Sequence, residues 1–252
     1  MSGVRLRGEA VAKRFGRVAA LRGIDFEIAA GEALAILGAN GAGKSTLLRI
    51  LAGLSRASDG VFEALRGAVT PERLARETLR GEIGYVGHAT LLYGELTAAE
   101  NLVFAGRLAG RPPSPTRVDE LLDLVGLADV SGRRAGTFSR GMSQRLAIAR
   151  AIVHDPSVLL LDEPFTGLDE ASAERLSNQL VRLRAAGRTL VLVTHDPRRA
   201  AELSDRALIL HRGAIVAQPS RAANAADAIA YTVEGLRAAL ARFEPTRHEG
   251  AA

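Results

Sequence analysis

Residues Gly38 to Thr46 read G-A-N-G-A-G-K-S-T and fit the spacing G-x-x-x-x-G-K-[ST] of a phosphate-binding loop. An apolar run, Ala33 to Leu37, comes directly before, and a helix-like run, Ser45 to Leu54, directly after. Strand, glycine loop and helix in that order make a site rather than a glycine-rich turn with a surface lysine. Gly38, Gly41 and Gly43 lack a Cβ, so the backbone can turn left-handed and approach a ligand closely. The N–H groups of the loop, including Asn40, and the positive end of the following helix then face one concavity that suits phosphate oxygens. Lys44 adds a point charge for β- and γ-phosphates, the Ser45 hydroxyl is placed to hold Mg²⁺, and Thr46 lies beside it.

The bulk of the chain narrows the choices. With 252 residues and 47% hydrophobic content, one domain or two tightly joined lobes can bury a core. No apolar run approaches the ~18 residues of a membrane span, and Met1 to Arg7 does not read as a signal peptide. A soluble chain whose membrane role comes through a partner is the expectation. The net charge of +5 invites nucleic acid, but the arginines are scattered, Lys13 and Lys44 are the only lysines, and there is no tryptophan to stack bases. No nucleic-acid partner is expected. Cysteine is absent, so disulfide and thiol chemistry are excluded.

Val4 to Phe15 and Ala20 to Ile28 alternate apolar and polar residues and read as paired antiparallel strands. Phe15 stands either as an aromatic for stacking on a nucleotide base or as a core residue. The all-apolar Ala33 to Leu37 suits a parallel strand covered on both faces. Gly60 to Leu65 reads as a strand, Glu72 to Arg80 as a surface helix and Glu82 to Gly87 as a strand. Thr97 to Leu108 opens with a capping box, Thr97 to Glu100. The prolines of Arg111 to Pro115 break that helix, and Thr116 to Val125 resumes one. A further helix runs from Met142 to Val153, so residues 89 to about 155 read as a helical lobe inserted into an α/β core. Beyond it come a strand at Val158 to Glu163, a helix at Glu170 to Ala186, a strand at Thr189 to Val193 and a hairpin over Arg206 to Ala217. Residues 219–252 read as an Ala/Arg-rich extension with a helix over Thr232 to Phe243 and disordered final residues.

Val158 to Glu163 (V-L-L-L-D-E) ends in two carboxylates, where ligands sit in an open α/β sheet. Asp162 is placed for the Mg²⁺ shell and Glu163 to reach a water in line with a γ-phosphate; the plainer alternative is an acidic helix start. His195 ends the next apolar strand and opens onto the same edge, within reach of the γ-phosphate.

Gly38–Thr46, Ser139–Gly141, Val158–Glu163, Gly167–Asp169 and His195, in that order, resemble the ATP-binding subunit of ABC transporters over about residues 3–218. The resemblance implies a P-loop NTPase core with an antiparallel β subdomain and an inserted helical subdomain. It implies an ATPase that uses ATP and Mg²⁺ and works as a head-to-tail pair. Each nucleotide would lie between one chain's phosphate loop and the other's Ser139–Gly141, with Asp169 at the same seam. The partners implied are integral membrane permease subunits and a second ATPase subunit, at the cytoplasmic face of the cell membrane.

Two departures stand out. The family's L-S-G-G-Q is here F-S-R-G-M at Phe138–Met142, with Arg140 for a glycine and Met142 for the glutamine. The usual loop glutamine is here His88, a poor Mg²⁺ ligand that reaches the ion through water or only links the lobes. Gly87 to Leu102 (G-H-A-T-L-L-Y-G-E-L-T-A-A-E-N-L) is similar to the ATPase of the haem exporter of cytochrome c maturation. Small exporters of multidrug type share L-T-x-x-E-N and are the alternative. With no C-x-x-C-H and its other histidines scattered, the chain is not expected to bind haem itself.

Overall fold

The computed structural model describes residues 3–67, 71–221 and 231–243. β1 (Val4–Phe15) and β2 (Val18–Ile28) pair antiparallel, with Leu6 opposite Ile28 and Phe15 opposite Val18. Their alternation turns Val4, Leu6, Phe26 and Ile28 inward and leaves Arg7 and Glu27 in solvent. β3 (Ala33–Leu37) then enters a second sheet, and α1 (Lys44–Leu51) follows it. The chain returns to the first sheet with β4 (Asp59–Arg66), which pairs with β1, and β5 (Glu72–Arg73), giving the order β2-β1-β4-β5.

Here the structure corrects the helix read over Glu72 to Arg80. Its first two residues are β5, closed by Leu74 N–H donating to the Ala64 carbonyl at 2.8 Å, and the helix, α2, spans Arg76–Glu82. The charged run looks equally helical throughout. Only the unpaired edge of β4 tells the first part from the rest.

β6 (Ile83–Val86) opens the far side of the second sheet. α3 (Ala98–Leu108), α4 (Pro115–Leu124) and α5 (Arg140–Ile152) follow. The capping box is present: Thr97 Oγ1 accepts from Glu100 N–H at 3.2 Å and Glu100 Oε2 from Thr97 N–H at 2.8 Å. The proline run becomes the start of α4, with Ser114 as N-cap and Pro115 in the first turn. β7 (Val158–Asp162), α6 (Glu170–Ala185), β8 (Thr189–Val193), α7 (Pro197–Leu203), β9 (Arg206–His211), β10 (Ala214–Ala217) and α8 (Val233–Ala241) complete the described chain. Residues 244–252, where disorder is expected, lie outside the described residues, as does His248.

The second sheet runs β10-β9-β3-β8-β7-β6, parallel except for β10. β3, β7 and β8 are buried at every residue, as parallel strands covered on both faces must be. On one face Leu34 and Ile36 pack with Leu47, Leu48 and Leu51 of α1 and with Phe26 and Ile28. On the other, Leu159, Leu161 and Leu192 pack with Leu102, Leu121 and Leu146 from the helical stretch. Ala35, Leu37 and Ile209 meet Ala200 of α7 and Leu236 of α8. The carboxyl ends of β3, β7 and β8 therefore emerge side by side. No helix among the described residues is long and apolar enough to cross a membrane.

Candidate functional site

The loop after β3 is built on glycine geometry. Gly38, Gly41 and Gly43 have φ of 144°, 78° and 107°. A Cβ on Gly38 would lie 2.2 Å from the Leu210 carbonyl oxygen, and one on Gly43 would lie 2.5 Å from that of Ala20. Thus β9 and the start of β2 press on the loop from behind and leave its other side open. Gly43 starts α1 with no side-chain cap and no acidic residue in the first turn, so the positive end of the helix is left for an anion. Lys44 is only 8% exposed and donates from Nζ to the Gly38 carbonyl at 2.7 Å and the Ala39 carbonyl at 3.0 Å. An ammonium has three donors, so one remains. Burial lowers its pKa, while the charges of Glu163 and Asp162 pull it back up. The loop lysine thus lies in the electrostatic field of both strand-end acids. Asn40 is exposed, and Ser45 and Thr46 are half-buried at the mouth of the helix.

Asp162 ends β7 and is 4% exposed. Glu163 follows with a left-handed φ of 52°, a conformation that costs a non-glycine residue energy and re-aims its side chain. Its N–H donates to the Val193 carbonyl at 3.0 Å, which pins it to β8. His195, two residues beyond β8, meets it: Nδ1 lies 2.9 Å from Glu163 Oε2. With Nδ1 as the donor, Oε1 and the imidazole Nε2 are left for other partners. Asp196 caps α7 by accepting from Arg198 N–H at 2.8 Å, fixing the segment that carries His195.

A cavity of about 410 Å³ opens beside the two acids. It is lined by His88, Thr90, Arg140, Gln144, Asp162 and Glu163 among others. His88 is exposed and faces the acids across this space. Ser139 caps α5, its Oγ accepting from Met142 N–H at 3.3 Å. A Cβ on Gly141 would lie 3.3 Å from the Gly167 carbonyl oxygen, so the start of α5 packs on the Thr166–Leu168 turn. Asp169 caps α6, accepting from Ser172 N–H at 2.7 Å and Ser172 Oγ at 3.1 Å; those two bonds lower its pKa.

The structure thus brings the loop, Asp162, Glu163 and His195 together. It does not bring Ser139, Gly141 or Asp169 to the loop, and each of these three serves its own chain locally. Phe15 is 54% exposed at the end of β1, which removes the core reading. Sequence reasoning passed over Thr90, Gln144 and Arg140 as site residues. For Arg140 a signal existed: a charged residue in the first turn of a helix at a position where the family carries glycine.

Ser45 and Asp162 supply two hard oxygen donors beside the phosphate cradle. Mg²⁺ is held by one or two carboxylates, water and substrate phosphates rather than by a protein cage, so this donor set fits that ion.

A profile of the family described as ABC transporter matches residues 21–166, more than half of the chain. The sulfate/thiosulfate import ATP-binding protein CysA of Methylococcus capsulatus is 42% identical over 212 residues, 81% of this chain and 60% of that protein. The macrolide export ATP-binding/permease protein MacB 1/2 of Paracoccus denitrificans is 40% identical over 236 residues, 89% of this chain and 34% of that protein. The chain spans less than two thirds of the length of either relative. A solved dimer of the ATP-binding cassette MJ0796, in a post-hydrolysis state with ADP and Pi, superposes with a TM-score of 0.76 at 28% identity, covering 85% of this chain and 98% of that one. With its glycine loop and strand-end acids set in a matching frame, the chain belongs to the family of ABC transporter ATP-binding domains and has the ABC ATPase fold.

Proposed function

We propose that this chain is the ATP-hydrolysing subunit of an ABC transporter and that two copies close head-to-tail on ATP. The observation that carries the chemistry is the contact of Glu163 with His195 at 2.9 Å, at the strand ends beside the buried Lys44. The loop N–H groups, the start of α1 and the third donor of Lys44 bind the phosphates and take up charge as the terminal phosphoryl group leaves. Glu163 accepts the proton of the attacking water through Oε1, while His195 Nδ1–H holds Oε2 and fixes the carboxylate's orientation. Ser45 and Asp162 would hold a magnesium ion, which when bound neutralises charge between the β- and γ-phosphates. Phe15 would stack on the base.

Ser139, Gly141 and Asp169 lie away from their own loop, and a second copy is the natural recipient of that surface. Membrane subunits would meet the helical lobe, residues 89–155, where Leu91, Tyr93 and Leu108 are exposed. Such a subunit would sit peripherally at the cytoplasmic face of the membrane. The 219–252 segment would be an extension of the ATPase domain at 1–218.

For the cargo we favour haem destined for cytochrome c assembly, on the strength of the stretch Gly87–Leu102. A multidrug-type exporter is the second reading. The cassettes of a sulfate importer and a macrolide exporter are about equally similar to this chain, so cargo choice belongs to the membrane subunits. Deleting the gene and staining for covalently bound haem separates the two: loss of c-type cytochromes supports haem export, and drug sensitivity with normal cytochromes supports the other.

The catalytic reading is tested by Glu163→Gln. ATP turnover should fall about a thousandfold or more while ATP binding persists, and the variant should accumulate as an ATP-bound dimer in size-exclusion chromatography. Turnover near the parent rate would remove Glu163 from the mechanism.

A further inference from the structure

β4 has one edge that its own sheet leaves open. Its inner edge pairs with β1, from Val4 opposite Arg66 to Ala12 opposite Asp59. On the outer edge β5 faces only Leu65 and Arg66, and Leu74 N–H still reaches the Ala64 carbonyl at 2.8 Å. Backbone groups alternate from edge to edge along a strand, so those of Phe62 and Gly60 point outward with those of Ala64. In the register of β5 the residue opposite Phe62 would be Arg76, which is already the first residue of α2. The N–H and C=O of Phe62 and the C=O of Gly60 therefore have no strand to pair with among the described residues. The Gly60 N–H is taken by Asp59 Oδ1 at 2.9 Å.

Where β5 turns away, the gap is a cleft of about 560 Å³. Ile50, Phe62 and Leu79 give it an apolar floor, and its walls carry Arg56, Arg73 and Arg76 against one acid, Glu63. Glu63 pairs with Arg73 at 3.2 Å, which leaves two guanidinium groups without a carboxylate. Arg76 Nε donates to the Gly53 carbonyl at 2.6 Å, so its stem is fixed at the end of α1 while its terminal amines remain. The Arg56 guanidinium has no hydrogen bond or ion pair among the described residues. Its carbonyl accepts from Lys13 Nζ at 2.8 Å, which anchors the loop that carries it to β1. Natural sheets usually blunt an open edge; this one is set in a cleft with an excess of positive charge.

We propose that the cleft takes an extended acidic peptide from a partner protein, added to β4 as an antiparallel strand in continuation of β5. Phe62 N–H would donate to a peptide carbonyl, and peptide N–H groups would donate to the Phe62 and Gly60 carbonyls. Cross-strand partners share a face, so the peptide residue that exchanges bonds with Phe62 turns its side chain to the apolar floor. The residues between turn the other way. Acids there answer the surplus arginines, and main-chain bonds give affinity while side chains give specificity.

The probe is a dye-labelled Val-Glu-Val-Glu-Val-Glu peptide, with Val-Lys-Val-Lys-Val-Lys as control, read by fluorescence anisotropy. The acidic peptide should bind at least about tenfold more tightly than the basic one, and Arg56→Glu should weaken it about tenfold. That arginine is exposed and unpaired, so the fold and the basal ATP turnover should survive its replacement. Methylating the valine amides should weaken binding about fivefold or more, because those N–H groups face β4. Methylating the glutamate amides, which face away, should leave it unchanged. Hydrogen exchange at the Phe62 amide should slow when the acidic peptide is bound.

Equal loss with both methylation patterns would overturn strand addition, as would a Kd weaker than about 1 mM for the acidic peptide. Dodecanoate binding with the same dependence on Arg56, where the peptide does not bind, would make the cleft a small-molecule site and overturn the proposal.

Discussion

Phe15 ends β1 with more than half its surface in water and with Lys13 Nζ 5.1 Å from its ring centroid. An aromatic left that exposed contributes little to the core, and with Lys13 over one face of the ring the other would take a base. The carbonyl of Ala20, five residues on, backs Gly43 of the phosphate loop, so the β1–β2 hairpin is tied to the site it would serve. Phe15→Ala should weaken ATP binding by about 1–3 kcal/mol, the worth of stacking one base. Inorganic triphosphate has no base and should bind equally well to both proteins. Calorimetry with the two ligands checks this, and an equal loss for both would assign Phe15 a structural role. The alternation around Phe15 left core and stacking open, because its spacing fits either face; only the pairing of β1 with β2 shows that the strand has run past the core at that point. Glu163 is a similar case. Its place after β7 was legible from V-L-L-L-D-E, but its left-handed backbone and its contact with His195 arise from the pairing of β7 with β8.

Between single side chains and the fold lie the joints of the elements, and Glu82 makes one of them. It ends α2, and β6 begins at the next residue. Arg66 of β4 and Arg111, before α4, each meet Glu82 Oε1 at 2.9 Å, and Ser157 donates to its other oxygen. Burial pushes its pKa up, but Ser157, Arg111 and Arg66 outweigh that and leave it below the ordinary carboxylate value. A carboxylate held down in the folded state stabilises above the unfolded pKa of about 4.3 and loses that contribution as the pH falls through the folded value. Glu82→Gln should therefore cost roughly 2 kcal/mol at pH 7, and the gap to wild type should close as the pH drops below about 4. Urea unfolding at both pH values checks this; a gap that persists in acid would mean the charge of Glu82 is not what stabilises the joint. The elements themselves were mostly legible from periodicity and caps, the Thr97–Glu100 box most of all. The joints were not, since Arg66, Glu82, Arg111 and Ser157 are far apart in sequence. α7 was missed for a different reason: seven residues opening with Pro197 are too few to show a helical period.

At the scale of the molecule, the parallel sheet has one side that the motifs do not explain. There α7 packs on α8, with Ala200, Leu236 and Ala239 all fully buried against Ala35, Leu37 and Ile209. Tyr231 donates from its hydroxyl to the Ala200 carbonyl at 3.0 Å and lies 2.6 Å from Ser204 Oγ. Phe243 sets its ring 5.4 Å from that of His211, at the end of β9. Whether a segment after Pro219 stabilises the fold was not legible, because its Ala/Arg-rich composition looks alike docked or free; burial of Leu236 and the hydroxyl contacts of the half-buried Tyr231 are what distinguish the two. Removing residues 222–252 would uncover Leu37 and Ile209 and strip the contacts of α7, while every strand of both sheets stays. Losing Leu236 alone should cost about 1.5–3 kcal/mol and the Tyr231 hydrogen bonds roughly 1 kcal/mol more. For a chain of this size that is a fall in Tm of roughly 5–15 °C. Because α7 starts two residues after His195, the loosening should also reach the site. The truncated chain should bind ATP normally through its loop, yet turn it over several-fold more slowly at 25 °C, well below its melting. Differential scanning calorimetry and steady-state kinetics on the truncated chain separate the two effects. A lower Tm with unchanged kcat would make α8 a brace for the sheet alone, with no hold on the geometry of His195.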